Sequence, residues 1–105
     1  MLSIGIDIEE VSRFEQLDNA EKIYSSGELE YIEAKNFAAD TIAGIFCAKE
    51  AYFKAIGTGV QLNKLKKVEI GHDRFGAPYY KNDKDAHLSI AHTKESAVAV
   101  CVILK

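Results

Sequence analysis

A carboxylate in a stretch of chain that carries almost no other charge is a candidate for chemistry, and Glu50 is such a group. From Thr41 to Ile56 the sequence reads TIAGIFCAKEAYFKAI, in which only Lys49, Glu50 and Lys54 are charged. A helix that is apolar nearly all round is normally buried, and a carboxylate on it must meet a cation, a metal or hydrogen-bond donors. Asp7 is the second such group, set in the short apolar run Leu2-Ser3-Ile4-Gly5-Ile6-Asp7-Ile8. Two carboxylates far apart in sequence, each on a core-forming segment, suggest a metal site assembled by folding. Two carboxylates completed by waters and phosphate oxygens suit magnesium, which gives up its water reluctantly.

Each of these groups also has a plainer reading, and the residues alone leave both open. Glu50 and Lys54 stand at i and i+4 with the glutamate first, the favourable order for an exposed helix ion pair. Lining a cleft instead, Lys54 is a mobile point charge for a phosphate. Asp7 faces the side of its strand opposite Ile6 and Ile8, so on a half-buried strand it would point to solvent. Gly57-Thr58-Gly59 follows a helix rather than opening one, which fits either a cap or a backbone kept bare for a ligand to pass. His92, at the end of Ser89-Ile90-Ala91-His92-Thr93, is a turn residue or, with Thr93, a hydrogen-bond donor to phosphate. Lys64, Lys66 and Lys67 read as a solvated strand entrance. His72 and His87 have no constellation around them and receive no role.

The elements that must position these groups follow from periodicity and punctuation. Residues 2–8 alternate and read as a strand ending at Glu9-Glu10. Val11, Phe14 and Leu17 recur at helical spacing and imply a short first helix. Ser25 and Glu28 have capping-box spacing, so a second helix starts near Ser26. Lys35 to Ala39 is a break, Asp40 is placed to N-cap the long apolar helix, and Gly57 to end it. Beyond Gly59 the texture is β. Lys67 to Ile70 alternates, Gly71 to Pro78 is rich in turn residues, and Tyr79-Tyr80 is a short strand. Leu88 to Ala91 and Ala97 to Leu104 flank a hairpin connection. The last strand is apolar on both faces, which implies a central strand covered twice. The expected fold is α+β: an N-terminal strand, three helices, then a mainly antiparallel sheet.

Bulk properties narrow the function. At 105 residues the chain is expected to be a single domain, 1–105. A net charge of −3 does not suit a nucleic-acid or anionic-membrane binder. The longest apolar run, Ala97 to Leu104, is too short to span a membrane. No basic start followed by a long apolar stretch suggests a secretory signal. Cys47 and Cys101 lack the spacing of a disulfide framework or zinc site. The expectation is a cytoplasmic protein with free thiols.

Three segments together resemble the holo-acyl-carrier-protein synthase group of 4′-phosphopantetheinyl transferases. They are Gly5-Ile6-Asp7-Ile8-Glu9-Glu10-Val11-Ser12-Arg13-Phe14, then Phe46-Cys47-Ala48-Lys49-Glu50-Ala51-Tyr52-Phe53-Lys54-Ala55-Ile56-Gly57-Thr58-Gly59, and Leu88-Ser89-Ile90-Ala91-His92-Thr93. The middle one is the most specific, and Gly76-Ala77-Pro78 resembles the family's turn before a strand. The resemblance implies transfer of 4′-phosphopantetheine from coenzyme A to a serine of an apo acyl carrier protein. It also implies a homotrimer with coenzyme A between neighbouring subunits. By this analogy Asp7 and Glu50 hold Mg2+ and Lys54 neutralises the phosphate under attack. Glu50, directly or through water, accepts the serine proton. Lys49, His92 and Thr93 contact coenzyme A, which passes the bare Gly57 and Gly59, and Arg13 meets the carrier protein. The chain departs from the pattern at Ile45, where the family often has arginine, and at Ala91, where it usually has serine.

Overall fold

The computed structural model describes residues 1–105. Strand β1 (Leu2–Glu10) pairs antiparallel with the last strand, β5 (Ser96–Leu104), along its whole length, from Leu2↔Leu104 to Glu10↔Ser96. Strand β4 (Ala86–His92) takes the other edge of β5, giving the sheet order β1-β5-β4. A separate two-stranded ribbon joins β2 (Ile70–His72) to β3 (Pro78–Tyr80). The helices are α1 (Ala20–Ile23), α2 (Ser26–Ala34) and α3 (Ala39–Ile56), with 3-10 turns at Val11–Phe14 and Leu62–Lys67. The chain is α+β, in the expected order.

The long helix α3 lies across the sheet and buries its small residues there. Cys47, Ala48, Ala51 and Ala55 meet Ala97, Ala99, Cys101 and Ile103 of β5 in one core cluster. The approach is closest at Gly5, where an added Cβ would stand 2.0 Å from the Ala51 carbonyl oxygen and 2.5 Å from the Ala55 nitrogen. Only a residue without a side chain fits between the strand and the helix backbone there.

That contact inverts the expected polarity of β1. Gly5, Asp7 and Glu9 face α3 and are buried, whereas Ile4, Ile6 and Ile8 are 59–67% exposed on the opposite face. Register places Ile4, Ile6 and Ile8 beside Val102, Val100 and Val98 of β5, an apolar surface that nothing in this chain covers. The central position expected for β5 is therefore observed, but its second layer of cover is not supplied within one chain.

Other differences have local causes. The first helix does not form as one piece: Val11 donates its N–H to Glu95 O at 2.9 Å, and Asn19 takes a left-handed conformation at φ 54°. Asp40 does not cap α3. Ala38 holds that position without a side-chain bond, and Asp40 sits in the first turn, where its charge complements the positive end of the helix dipole. The lysine cluster lies in the 3-10 turn Leu62–Lys67 instead of at a strand entrance, and β2 starts at Ile70. The α2 capping box forms as expected, with Glu28 N donating to Ser25 Oγ and Ser25 N to Glu28 Oε1. Gly57 ends α3 at φ 80°, with Thr58 N donating to Phe53 O.

Gly5→Ala should therefore cost about 3 kcal/mol or more of stability, the upper range for overpacking a filled site. A fall in the urea unfolding midpoint at unchanged slope checks this.

Candidate active site

The crossing of α3 over β1 brings Asp7 and Glu50 together and adds Glu9 to them. One carboxylate oxygen from each of the three lies within 4.8 Å of the others. Glu9 received no role in the sequence reading, which took it as part of the acidic pair closing the strand. The signal was its spacing: two residues beyond Asp7, it shares the strand face of Asp7. Asp7 and Glu9 are only 7% and 8% exposed, so their mutual repulsion is weakly screened.

The electrostatics record that strain. Burial foremost, then a hydrogen bond with Glu9 and the charge of Asp7, pushes the Glu50 carboxyl up to about 8. Burial likewise raises Glu9, with a smaller contribution from Asp7. Two cations touch the cluster. Lys54 Nζ donates to Asp7 Oδ1 at 3.1 Å, and Arg13 pairs with Glu9 one turn away. Lys54 thus bridges to the strand instead of pairing with Glu50. Asp7 Oδ2 is buried with no hydrogen-bond partner. A hard divalent cation fits this donor set: it would take oxygen ligands from the three carboxylates, satisfy Asp7 Oδ2 and relieve the repulsion.

Lys49 has a different place from the one expected. Its side chain is fully buried, and its Nζ donates to Glu28 Oε1 at 2.7 Å and to the Leu65 and Val68 carbonyls at 2.8 Å each. An ammonium has three protons, so none is left for a phosphate, and the expectation that Lys49 contacts coenzyme A is withdrawn. Gly57 and Gly59 both have positive φ, 80° and 70°, and open space where a side chain would stand. Their conformations account for glycine at both positions. The Thr93 hydroxyl oxygen accepts from Glu95 N and Ser96 N, holding the β4–β5 turn, while its own proton stays free to donate.

His92 does not join the carboxylates. Glu9 and His92 both pair in register with Ala97, from opposite edges of β5. They stand two interstrand spacings apart, about 9.6 Å, and Cys47 of α3 donates to the Ala97 carbonyl between them. His92 faces the other flank of α3, with its Nδ1 3.4 Å from Asp40 Oδ2. It lines a cleft of about 160 Å³ with Tyr31, Thr41, His72 and Pro78. On the carboxylate side, Arg13, Phe14, Leu17 and Phe46 line a separate groove of about 400 Å³. One chain therefore carries a carboxylate site and an imidazole-lined cleft on opposite sides of one helix.

Three clustered carboxylates with a lysine beside them, on an α3-over-sheet scaffold, form the candidate site. The model of the 4′-phosphopantetheinyl transferase superfamily matches residues 3–102, and the chain belongs to that family. It is 39% identical to the holo-[acyl-carrier-protein] synthase of Fusobacterium nucleatum, over 99% of both chains. It is 38% identical to that of Treponema denticola, over 98% of both. Among solved structures, the holo-(acyl-carrier-protein) synthase of Bacillus anthracis in complex with CoA (3′,5′-ADP) superposes with TM-score 0.84 at 36% identity, covering 96% of this chain and 94% of that one. The Helicobacter pylori enzyme in complex with coenzyme A gives TM-score 0.78 at 28% identity, covering 96% and 99%.

The raised Glu50 has a consequence for stability. A carboxyl that holds its proton more tightly folded than unfolded favours folding below its unfolded pKa. That contribution is lost as pH rises toward 8. Without divalent cations, thermal melting should show Glu50→Gln gaining stability relative to the parent between pH 5 and pH 8. Magnesium should raise the parent's melting temperature most at the upper end of that range. Parallel pH profiles for the two proteins would contradict the assignment.

Proposed function

We infer that this chain transfers 4′-phosphopantetheine from coenzyme A to a serine of an apo acyl carrier protein, leaving adenosine 3′,5′-bisphosphate. The carrying observation is the Asp7–Glu9–Glu50 cluster, its two strand carboxylates buried, with Lys54 at its edge and a buried Asp7 oxygen that has no partner. Mg2+ held by Asp7 and Glu50, with Glu9 as a third donor, would supply charge neutralisation at the coenzyme A pyrophosphate. Lys54 is about half exposed and anchored to Asp7, so its ammonium can reach a phosphoryl oxygen without losing its position. Glu50, ionised beside the bound cation, would accept the serine proton, directly or through water. The nucleophile is the partner's serine, so no nucleophile–base pair is required here. Arg13, 62% exposed beside the apolar groove, is positioned to meet an acidic carrier surface.

The separation of His92 from the carboxylates supports coenzyme A binding between copies, one chain giving the carboxylates and its neighbour the cleft with His92 and Thr93. The exposed Ile4, Ile6 and Ile8 face supplies an apolar surface for that assembly, in keeping with a homotrimer. No helix is long and apolar enough to cross a membrane; the transferase reading itself is of a cytoplasmic enzyme. A second reading, a relative that binds coenzyme A or carrier protein without efficient transfer, is favoured by one observation. Ile45, where the family often has arginine, is buried and offers no charge to a phosphate.

Mixing the protein with apo acyl carrier protein, coenzyme A and magnesium should add phosphopantetheine to the carrier, read by mass spectrometry. Asp7→Asn and Glu50→Gln should each lower the rate by roughly 100-fold or more while the circular dichroism spectrum is kept. Binding of coenzyme A with no transfer to several carriers would select the second reading.

A further inference from the structure

Arg13 stands between the carboxylate cluster and the groove on the same side of α3. It follows β1 in the 3-10 turn Val11–Phe14, which Val11 N ties to Glu95 O just ahead of β5. Phe14 packs its ring on Phe46, with centroids 5.3 Å apart. The backbone at position 13 is therefore held on both sides, and the side chain alone is left to move. Its guanidinium pairs with Glu9, which is buried, while the arginine side chain itself is mostly exposed. The guanidinium carbon lies 5.8 Å from the Phe14 ring centroid, so the stem has an apolar wall to lie against in the groove. A buried acid is at one end of its reach and solvent at the other.

Glu9 is claimed twice, by Arg13 and by the cluster, in which one of its oxygens lies within 4.8 Å of oxygens of Asp7 and Glu50. The three carboxylates are served by two monovalent cations, Lys54 on Asp7 and Arg13 on Glu9. A divalent ion would bring four positive charges against three negative, where burial leaves them weakly screened. Both monovalent cations are then repelled. Lys54 has a phosphoryl oxygen to turn to. Arg13 has the groove, whose other charges, Lys22 and Asp18, offset each other. A guanidinium turned into that groove calls for a carboxylate from outside the chain, which its planar fork can hold by two parallel bonds. We propose that Arg13 couples carrier docking to the metal site: an acidic side chain of the carrier draws the guanidinium off Glu9, and Glu9 closes on the cation as its third ligand. This deepens the transferase reading and rests on it.

The coupling is reciprocal. The cation, by pushing Arg13 off Glu9, presents it to the carrier, and the carrier, by taking Arg13, raises the affinity for the cation. Its sense is the same if Arg13 bridges both acids, because the carrier's carboxylate then cancels the charge that repels the ion. The third ligand arrives with the acceptor, so the site is complete when a serine is there to be modified.

Fluorescence anisotropy of a labelled apo acyl carrier protein, titrated with the whole protein with and without Mn2+ at constant pH and ionic strength and without coenzyme A, tests this. Mn2+ should tighten carrier binding to the parent roughly fivefold or more, the lower end of ordinary coupling between sites. Screening by the ion would instead weaken it. Arg13→Gln should bind the carrier more weakly and lose most of the response to Mn2+, although the ion acts on the carrier itself equally in both titrations. Glu9→Gln, which releases Arg13 at the outset, should bind the carrier more tightly than the parent when Mn2+ is absent. With no carrier present, Arg13→Gln should take up Mn2+ several-fold more tightly than the parent, read from the electron paramagnetic resonance signal of the free ion. A role in docking alone would leave that last affinity unmoved. Equal Mn2+ responses, or equal Mn2+ affinities, in the parent and Arg13→Gln would overturn the coupling while transfer activity left the transferase reading intact. A carrier that binds under no condition would remove both.

Discussion

The site depends on one steric fact: α3 lies directly on β1 because position 5 has no side chain. With 2.0 Å between an imagined Cβ and the Ala51 carbonyl oxygen, any larger residue would lift the helix off the strand. Once the helix is down, every second residue of β1 is turned toward it. Gly5, Asp7 and Glu9 are therefore buried, and Ile4, Ile6 and Ile8 are left outside. The carboxylate cluster and the apolar outer face are two sides of one strand. A surface suited to a second copy and a site suited to a cation thus arise from the same packing decision.

The rotation of α3 about its axis is fixed by Lys49, the residue before Glu50. Its ammonium joins the capping glutamate of α2 to the carbonyls of Leu65 and Val68, and the second oxygen of Glu28 accepts from Ile70 N at 2.7 Å at the start of β2. Burial pulls Lys49 below the usual lysine range, and Glu28 opposes that shift. All three ammonium protons and both carboxylate oxygens are bonded, which offsets the cost of bringing two charges out of water. Successive helix residues point about 100° apart. Pinning Lys49 into this hub therefore directs Glu50 toward β1. Two adjacent charged residues in an apolar helix do different work, one holding the scaffold and the other serving the site.

Much of this was legible in the sequence, for reasons that can be assigned. The α2 capping box, the stop at Gly57 and the central strand Ala97 to Leu104 depend on local rules that packing did not override. Asp7 and Glu50 stood out because carboxylates in apolar segments demand an explanation. The inward turn of Asp7 was not legible, since alternation gives two faces without saying which meets the core, and Gly5 decided that through a contact with a helix some 45 residues away. The use of Lys49 was hidden for the same reason: its acceptors come from α2 and from the turn that ends at Val68, both distant in sequence. Glu9 could have been found from its spacing to Asp7. The stacking of His72 on Tyr31, with ring centroids 3.7 Å apart, required knowing that α2 and the β2–β3 ribbon adjoin.

The central claim is that the Asp7, Glu9 and Glu50 carboxylates hold a divalent cation against the coenzyme A pyrophosphate. A crystal structure with Mn2+ and coenzyme A, its anomalous scattering map calculated at the manganese edge, tests this directly. The expected result is a single strong peak bounded by Asp7 and Glu50, with pyrophosphate oxygens completing its ligands and Lys54 beside them. A peak elsewhere, or coenzyme A bound with its pyrophosphate away from these carboxylates, would contradict the account.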